Sequence, residues 1–590
     1  MWFVTTVAPF LVLTIASQVA YCRQNLSLQH QQQAQQILDD SGVKGGLIVH
    51  IGCGDGKLTA ALRANDRYLV HGLDEDPQNV EKARQYIQSL GPRSLQIYGT
   101  VSVDQLRDNS PLRGKLPYID NLVNLVVSEN LGTVSMQEVM RVLCPNGVAY
   151  IKNEWHGLPA HEDTAKMAVP QKGWTKTVKP WPQEMDEWTH YLHGPDGNPV
   201  ANDSLVGPPA RLQWVGSPRW ARHHDHIASM TSLVSAQGRL FYIFDEGLTA
   251  SIQLPARWRL IARDAFNGTE LWKRDIDQWN THQYPLKSGP AHLLRRLVAV
   301  GDRVYVTLGI DEPATALDAV TGKTVQTYQG SEHTREIVVS DGVVFLVADK
   351  SRSRLPDWQR KDTYVWDNSR RANPEWGWHG DSRKIMAYKA DSGRLLWQVE
   401  FPVAPCSMAV DPAPAAGAGV VFHNGEKLIC LDRRKGTTLW QSEPAPTKIP
   451  VHTNTGPRVL IYEGVVLFAG NDGKMSGWSA QDGKKLWEQK HKPSGHQSLK
   501  DLLVVDGLVW TGAVASSSND GVFIGYDPFT GQKKREFPPD VHVHWFHHRC
   551  YPCKATGKYL LAARNGTEFV DLKAEHWKPH HWCGVAAFMG

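Results

Sequence analysis

One pattern returns six times along the last two-thirds of this chain: an apolar strand, an acid or small residue, a turn glycine and, in four copies, a tryptophan four residues on. The copies centre on Gly268, Gly322, Gly393, Gly436, Gly483 and Gly531, at spacings of 54, 71, 43, 47 and 48 residues. Each interval has room for four short strands, which is the size of one propeller blade. The 71-residue interval carries an insertion, Ser351–Asp381, rich in Trp, Arg and Asp. Arg211–Gly216 reads as an outermost strand with no inner strands before it, so it completes the last blade. Seven further units follow, the seventh being Arg549–Trp582, and Gly584–Gly590 begins another inner strand. The expectation is eight blades with the last incomplete; seven blades closed by residues 211–216 is the alternative. The repeated tryptophans are expected to fill the space between blades.

Composition narrows the rest. With 64 Lys+Arg against 60 Asp+Glu the net charge is +4, which gives no reason to expect nucleic acid as a partner. A mean hydropathy of -0.38 excludes both a polytopic membrane protein and a disordered chain. Residues 1–22 form one uncharged apolar stretch and read as a secretory signal, with an uncleaved membrane anchor as the alternative. Lipid attachment through Cys22 is disfavoured by the bulky Tyr21 before it. The protein is therefore expected to be exported, to the periplasm or cell envelope, with no membrane span beyond the N-terminal segment. Eight cysteines in 590 residues make no disulfide scaffold. Cys53 and Cys144 read as packing residues, whereas Cys550 and Cys553 are spaced for a disulfide in an oxidising compartment. Lys554 stands where c-type haem attachment needs His.

The N-terminal third has a different period. A helical stretch over residues 28–40 leads into the apolar run Leu47-Ile48-Val49, then His50-Ile51-Gly52-Cys53-Gly54-Asp55-Gly56, then a helix at Lys57–Leu62. Strand, glycine loop, helix is the order in which glycines let backbone approach a cofactor. The next strand, Tyr68–Leu73, ends at Asp74, about 20 residues on, where an acid can hold a ribose diol. A helix over Val80–Leu90 and strands at Asn124–Ser128 and Val148–Ile151 continue the alternation.

The Gly-x-Gly-x-Gly spacing and the Gly-Leu-Asp strand ending resemble class I S-adenosylmethionine-dependent methyltransferases over residues 28–160. The resemblance implies an α/β Rossmann-type domain in which Gly52, Gly54 and Gly56 pass the methionine part of S-adenosylmethionine and Asp74 holds its ribose. His50 stands where that pattern usually opens with an acid, no acid is found around Thr100-Val101, and Glu129 is the one candidate base after the fourth strand. Residues 161–206 are expected to be a linker and 207–590 the all-β propeller. The glycine–tryptophan copies resemble the PQQ-like repeats of quinoprotein dehydrogenases and of propeller lipoproteins that act as assembly scaffolds.

Histidines near the starts of the innermost strands, His226, His292, His333, His452, His496 and His548, with Cys406 in the remaining blade, are expected to encircle one mouth of the channel. Neutral imidazoles there bind transition metals and protonated ones attract anions, and the alternative role is hydrogen bonding to loop carbonyls. His226, His547, His548, Cys550 and Cys553 are the candidate metal ligands. PQQ is the other cofactor the resemblance implies, but the adjacent cysteine pair usual beneath it is absent. Three functions remain open: a methyltransferase whose propeller face recruits a substrate or protein partner, a non-catalytic envelope scaffold, and a quinone- or metal-dependent oxidoreductase.

Overall fold

The computed structural model describes residues 28–90, 99–107, 114–152, 168–171, 173–217, 229–250, 254–279, 291–354, 357, 377–412, 419–451, 456–470, 472–491, 501–512, 521–540, 553–562 and 567–580. The chain divides into two compact units, one comprising Met1–Pro182 with Gln213–Gly216 and Arg263–Leu271, the other the remainder. Among the described residues no helix is long and apolar enough to cross a membrane.

The first unit alternates helix and strand. Helix α1 (28–41) precedes β1 (Gly46–Ile51), α2 (Lys57–Leu62), β2 (Tyr68–Asp74), α3 (Pro77–Ser89), β3 (Val101–Gln105), β4 (Val123–Ser128), α4 (Met136–Val142), β5 (Leu143–Lys152), β6 (Ala168–Gln171) and β7 (Trp174–Val178). The sheet order is β3-β2-β1-β4-β5-β7-β6. β1 runs parallel to β2 and β4, and β7 closes antiparallel on β5. Successive β1 residues feed opposite cores, Ile48 with Val70 and Leu125, Val49 with Leu73 and Val126. A strand buried on both faces must be apolar throughout, which is why β1 reads as a continuous run. Caps fix the helix starts. Asp76 accepts from the Gln78 amide with Pro77 at the first turn, and Ser135 accepts from that of Glu138.

Two expectations change here. The third strand lies later than the sequence suggested, so an acid does stand near its end, Asp104. Its carboxylate is shared by His71 and Arg84. Residues 161–206 are no simple linker: β6 and β7 extend the first sheet, and the stretch from Gln183 belongs to the second unit.

The second unit is built from seven four-stranded antiparallel sheets among the described residues, the repeated sheets of a propeller. Residues 584–590, expected to begin an eighth blade, lie outside the described residues. Arg211–Gly216 forms no strand. Its Trp214 nevertheless does what the repeat tryptophans do. The indole N–H of Trp214 donates to Ala265 O, and those of Trp272, Trp397, Trp440 and Trp487 to Ala319, Arg433, Ala480 and Pro528 O, at 2.8–3.0 Å. Each acceptor lies three residues before a turn glycine, and the ring lies flat on that glycine. A Cβ at Gly322, Gly436, Gly483 or Gly531 would sit 2.5–2.6 Å from an indole atom, and all four have φ between 68° and 73°. Only glycine meets both demands. Where Gln326 replaces the tryptophan, Tyr328 reaches Ala390 O through its hydroxyl at 2.9 Å, again three residues before a turn glycine, Gly393.

The innermost strands, Met230–Ala236, Leu297–Val300, Thr334–Ser340, Ala409–Val410, Arg458–Tyr462, Leu503–Val505 and Lys554–Ala555, present one edge each to the channel. A single irregular strap, residues 188–201, bonds to all seven in order. Ser235 N donates to Trp188 O, Ala299 N to Thr189 O, Val410 N to Pro195 O, Ile461 N to Asp196 O and Ala555 N to Pro199 O, at 2.8–3.0 Å. Val339 N donates to His190 Nε2 at 3.1 Å, and Val504 N to Asn198 Oδ1 at 2.9 Å. An unpaired edge N–H away from water costs free energy, and here one carbonyl or side chain from the strap answers each blade. Gly194, Pro195, Gly197 and Pro199 supply the bends.

Candidate functional site

In the first unit the strand order reverses between β1 and β4, and an open α/β sheet binds ligands outside the strand ends at that point. The glycine loop fills this place. Gly52, Gly54 and Gly56 have φ of 73°, 54° and 77°, left-handed values that other residues resist. Nothing lies within 4 Å of where a Cβ on Gly54 would be, so its backbone faces open space, while a Cβ on Gly56 would meet Ala83 of α3 at 2.7 Å. The first glycines turn the chain and leave the Gly54 backbone open; the last lets two helices pack.

Asp74, at the end of β2, is buried and braces the loop. Its Oδ2 accepts from Gly54 N at 2.8 Å, and Oδ1 from Asp76 N at 3.0 Å and Asn79 Nδ2 at 3.2 Å. A carboxylate offers about four acceptor positions, so capacity remains for a further donor. Sequence reasoning missed its neighbour Glu75, whose Oε1 accepts from Thr133 Oγ1 at 2.8 Å and Thr133 N at 3.2 Å. The signal was there, a second acid directly after the strand-ending one. The loop after β4 lies close by, with Asn130 O 3.4 Å from the Cβ position of Gly52.

His50 is buried, with Nδ1 2.8 Å from Thr59 Oγ1. Burial holds its imidazole down to about 4, so the ring is neutral and structural. The Cys53 thiol is pushed up to about 12 by burial and is no nucleophile. Glu129 is solvated, 3.6 Å from Lys152 Nζ and 3.4 Å from Gln33 Nε2.

The propeller candidates divide differently. His226, His547, His548 and Cys550 lie outside the described residues, as do His452 and His496. Cys553 is fully buried in the core between the last two sheets, with Sγ 3.4 Å from Leu561 O. His333 stands 3.1 Å from Asp311 Oδ1, and Cys406 is buried rather than at an open mouth. Among the described residues no group of three or more His, Cys, Asp or Glu is placed to hold a metal.

Fold and loop together define the class: a methyltransferase-type Rossmann domain followed by a propeller domain of PQQ-like repeats. Residues 49–151 match the family model described as a methyltransferase domain. Residues 256–376 and 377–539 match the one described as outer membrane protein assembly factor BamB. The quinoprotein alcohol dehydrogenase PedH of Pseudomonas putida is 22% identical over 173 residues, which cover 26% of this chain and 29% of that protein; the alignment thus spans under a third of that relative's length. A europium-containing methanol dehydrogenase is 12% identical, with a TM-score of 0.42 over 67% of this chain and 85% of the other. BamB from Moraxella catarrhalis is 15% identical, with a TM-score of 0.33 over 58% and 82%.

The two cofactors that these folds imply fare differently. Around the glycine loop the residues fit S-adenosylmethionine: open backbone at Gly54, acceptor capacity at Asp74, and the acids Glu75 and Glu129 on the rim for a cationic sulfonium. In the propeller the strap brings Tyr191 and Leu192 inside the ring and the chain has no adjacent cysteines. These residues do not fit a quinone disc.

Proposed function

We propose that the chain is an S-adenosylmethionine-dependent methyltransferase of the cell envelope whose propeller serves as a platform for a substrate or protein partner. The observation that carries this reading is the Gly54–Asp74 pair, in which an acid at the end of β2 holds the glycine loop open-faced at the switch point. Gly52 and Gly54 would pass the methionine end and Asp74 would accept from the ribose hydroxyls. The cofactor supplies an electrophilic methyl group on a positively charged sulfur. The chain's part is to orient it with backbone amides and to complement its charge with rim carboxylates. Export is supported by the apolar N-terminal segment and by the assembly-factor description attached to the propeller's family model.

Calorimetric titration of S-adenosylmethionine into the full chain tests the reading, with Asp74→Ala as control. Micromolar binding that the substitution abolishes supports it, and no binding overturns it. A non-catalytic envelope scaffold is the second reading, favoured by the strap bonded to all seven sheets.

A further inference from the structure

The carboxylate of Asp74 joins two parts of the first unit. Its Oδ2 holds the glycine loop through Gly54 N, and its Oδ1 faces the start of α3. Two of its three donors are backbone amides, Gly54 N at 2.8 Å and Asp76 N at 3.0 Å, which do not depend on the side chains at those positions. The third is a side chain, Asn79 Nδ2 at 3.2 Å.

The geometry of the helix start explains why an asparagine stands there. Asp76 caps α3, its side chain accepting from Gln78 N at 2.8 Å, and Asn79 is the third residue of the helix. A Glu or Gln at this position commonly reaches back to the N–H of the capping residue, and α4 carries Glu138 there, three residues after Ser135. In α3 the N–H of the capping residue is already taken by Asp74 Oδ1. A Glu at position 79 would set a second carboxylate against Asp74, whereas the amide of Asn79 presents a donor. Only the nitrogen end of that amide can face a carboxylate, so the bond also fixes which way the amide is turned. Asp74 is buried, so bulk water does not simply replace a donor taken away from it.

We propose that Asn79 is a positioning residue: it sets the orientation of the Asp74 carboxylate, and through it both the glycine loop and the acceptor offered to the ribose hydroxyls of a bound cofactor. The ribose part of this inference rests on the reading of the crevice as an S-adenosylmethionine site; the effect on the glycine loop does not.

The test compares the full wild-type chain with Asn79→Asp. This substitution keeps the shape, removes the donor and places an acid in the first turn of a helix, where the macrodipole favours it. The first readout is residue-resolved hydrogen exchange of the unliganded chains. The Gly54 amide, held by Asp74 Oδ2, should exchange about threefold faster or more in the variant once the carboxylate loses its side-chain donor. The Leu106 amide, which donates to the main-chain oxygen of Asp74 at 2.8 Å, should be unchanged. Equal exchange at Gly54 in both chains overturns the proposal, and so does a rise at Gly54 matched at Leu106, which would be a general loosening of the strand end.

The second readout is calorimetric affinity for S-adenosylhomocysteine and for its counterpart lacking both ribose hydroxyls. The wild type should favour the hydroxylated ligand by about tenfold or more, since a site built to bond hydroxyls rejects an analogue without them, and Asn79→Asp should narrow that preference to about threefold or less. An equal preference in the two chains overturns the ribose part. If neither ligand binds the wild type, the cofactor reading of the crevice fails and the ribose part with it, while exchange at Gly54 still decides whether Asn79 positions Asp74. Asn79→Ala removes the donor without adding a charge and should shift Gly54 exchange in the same direction, so a misfolded Asn79→Asp does not spare the proposal.

Discussion

Asn198 grips Val504 at both ends of its backbone: the amide Nδ2 donates to Val504 O at 3.0 Å, and Val504 N donates back to Oδ1 at 2.9 Å. One strap side chain thus replaces a whole step of strand pairing for the innermost strand Leu503–Val505. Asn198→Asp keeps the shape but puts a second acceptor against the carbonyl. It should destabilise the propeller unit by about 1–3 kcal/mol, seen as a lower urea midpoint with an unchanged slope. An unchanged midpoint would mean that the strap merely lies in the ring without holding it.

The turn glycines can be separated into those that dock a tryptophan and those that only turn. Gly483 and Gly507 have φ of 73° and 68°. A Cβ on Gly483 would fall 2.5 Å from the Trp440 ring, whereas on Gly507 it would meet nothing within 4 Å. Gly507→Ala should therefore cost only the left-handed conformation, about 1 kcal/mol. Gly483→Ala adds a displaced indole and should cost at least 2 kcal/mol more, in the range of an overpacked core. Paired chemical denaturation of the two variants decides it; equal losses would refute the docking role of the indole.

Where the repeat loses its tryptophan, the same contact is kept by another residue. Tyr328→Phe removes only the hydroxyl that donates to Ala390 O and should lower stability by about 1 kcal/mol. Tyr328→Ala also removes the buried ring and should cost about 3–5 kcal/mol, as for other large aromatics. A Phe variant as damaged as Ala would show that the hydroxyl, not the packing, couples these two blades.

These contrasts explain what a reader of the sequence can see. Turn glycines and tryptophans repeat because each blade needs the same φ and the same flat contact, so period exposes them. The first unit was legible for the same reason, since β1 and β2 are buried on both faces and the glycine loop must be glycine. The strap has no period. It satisfies blade edges mainly with backbone carbonyls, which any residue carries, so its Pro, Gly, Asn and Asp content looked like a connector. Tyr328 was hidden because it sits two positions beyond the tryptophan's place. Glu75 was passed over because Asp74 already explained the strand end.

Buried histidines give the fold a pH dependence whose sign follows from their shifts. His423 accepts from Gly425 N through Nδ1 at 3.0 Å and donates from Nε2 to Ala445 O at 2.7 Å, so both ring nitrogens are satisfied only in the neutral form. Burial holds its imidazole down to about 4, against 6.5 for an unfolded histidine. Between those values the unfolded chain binds the proton and the folded chain does not, so stability is full above pH 6.5 and falls as the pH drops toward 4. The loss for His423 is on the order of 3 kcal/mol across that window. His190 behaves alike, held down to about 3 by burial and then by nearby Arg295; protonating Nε2 would also break the bond it accepts from Val339, by which the strap holds the third innermost strand. His423→Gln keeps an acceptor and a donor without titrating. Urea midpoints measured from pH 7 to pH 4.5 should fall less steeply for this variant than for the wild type, and parallel curves would show that His423 protonates in the folded ring at no cost.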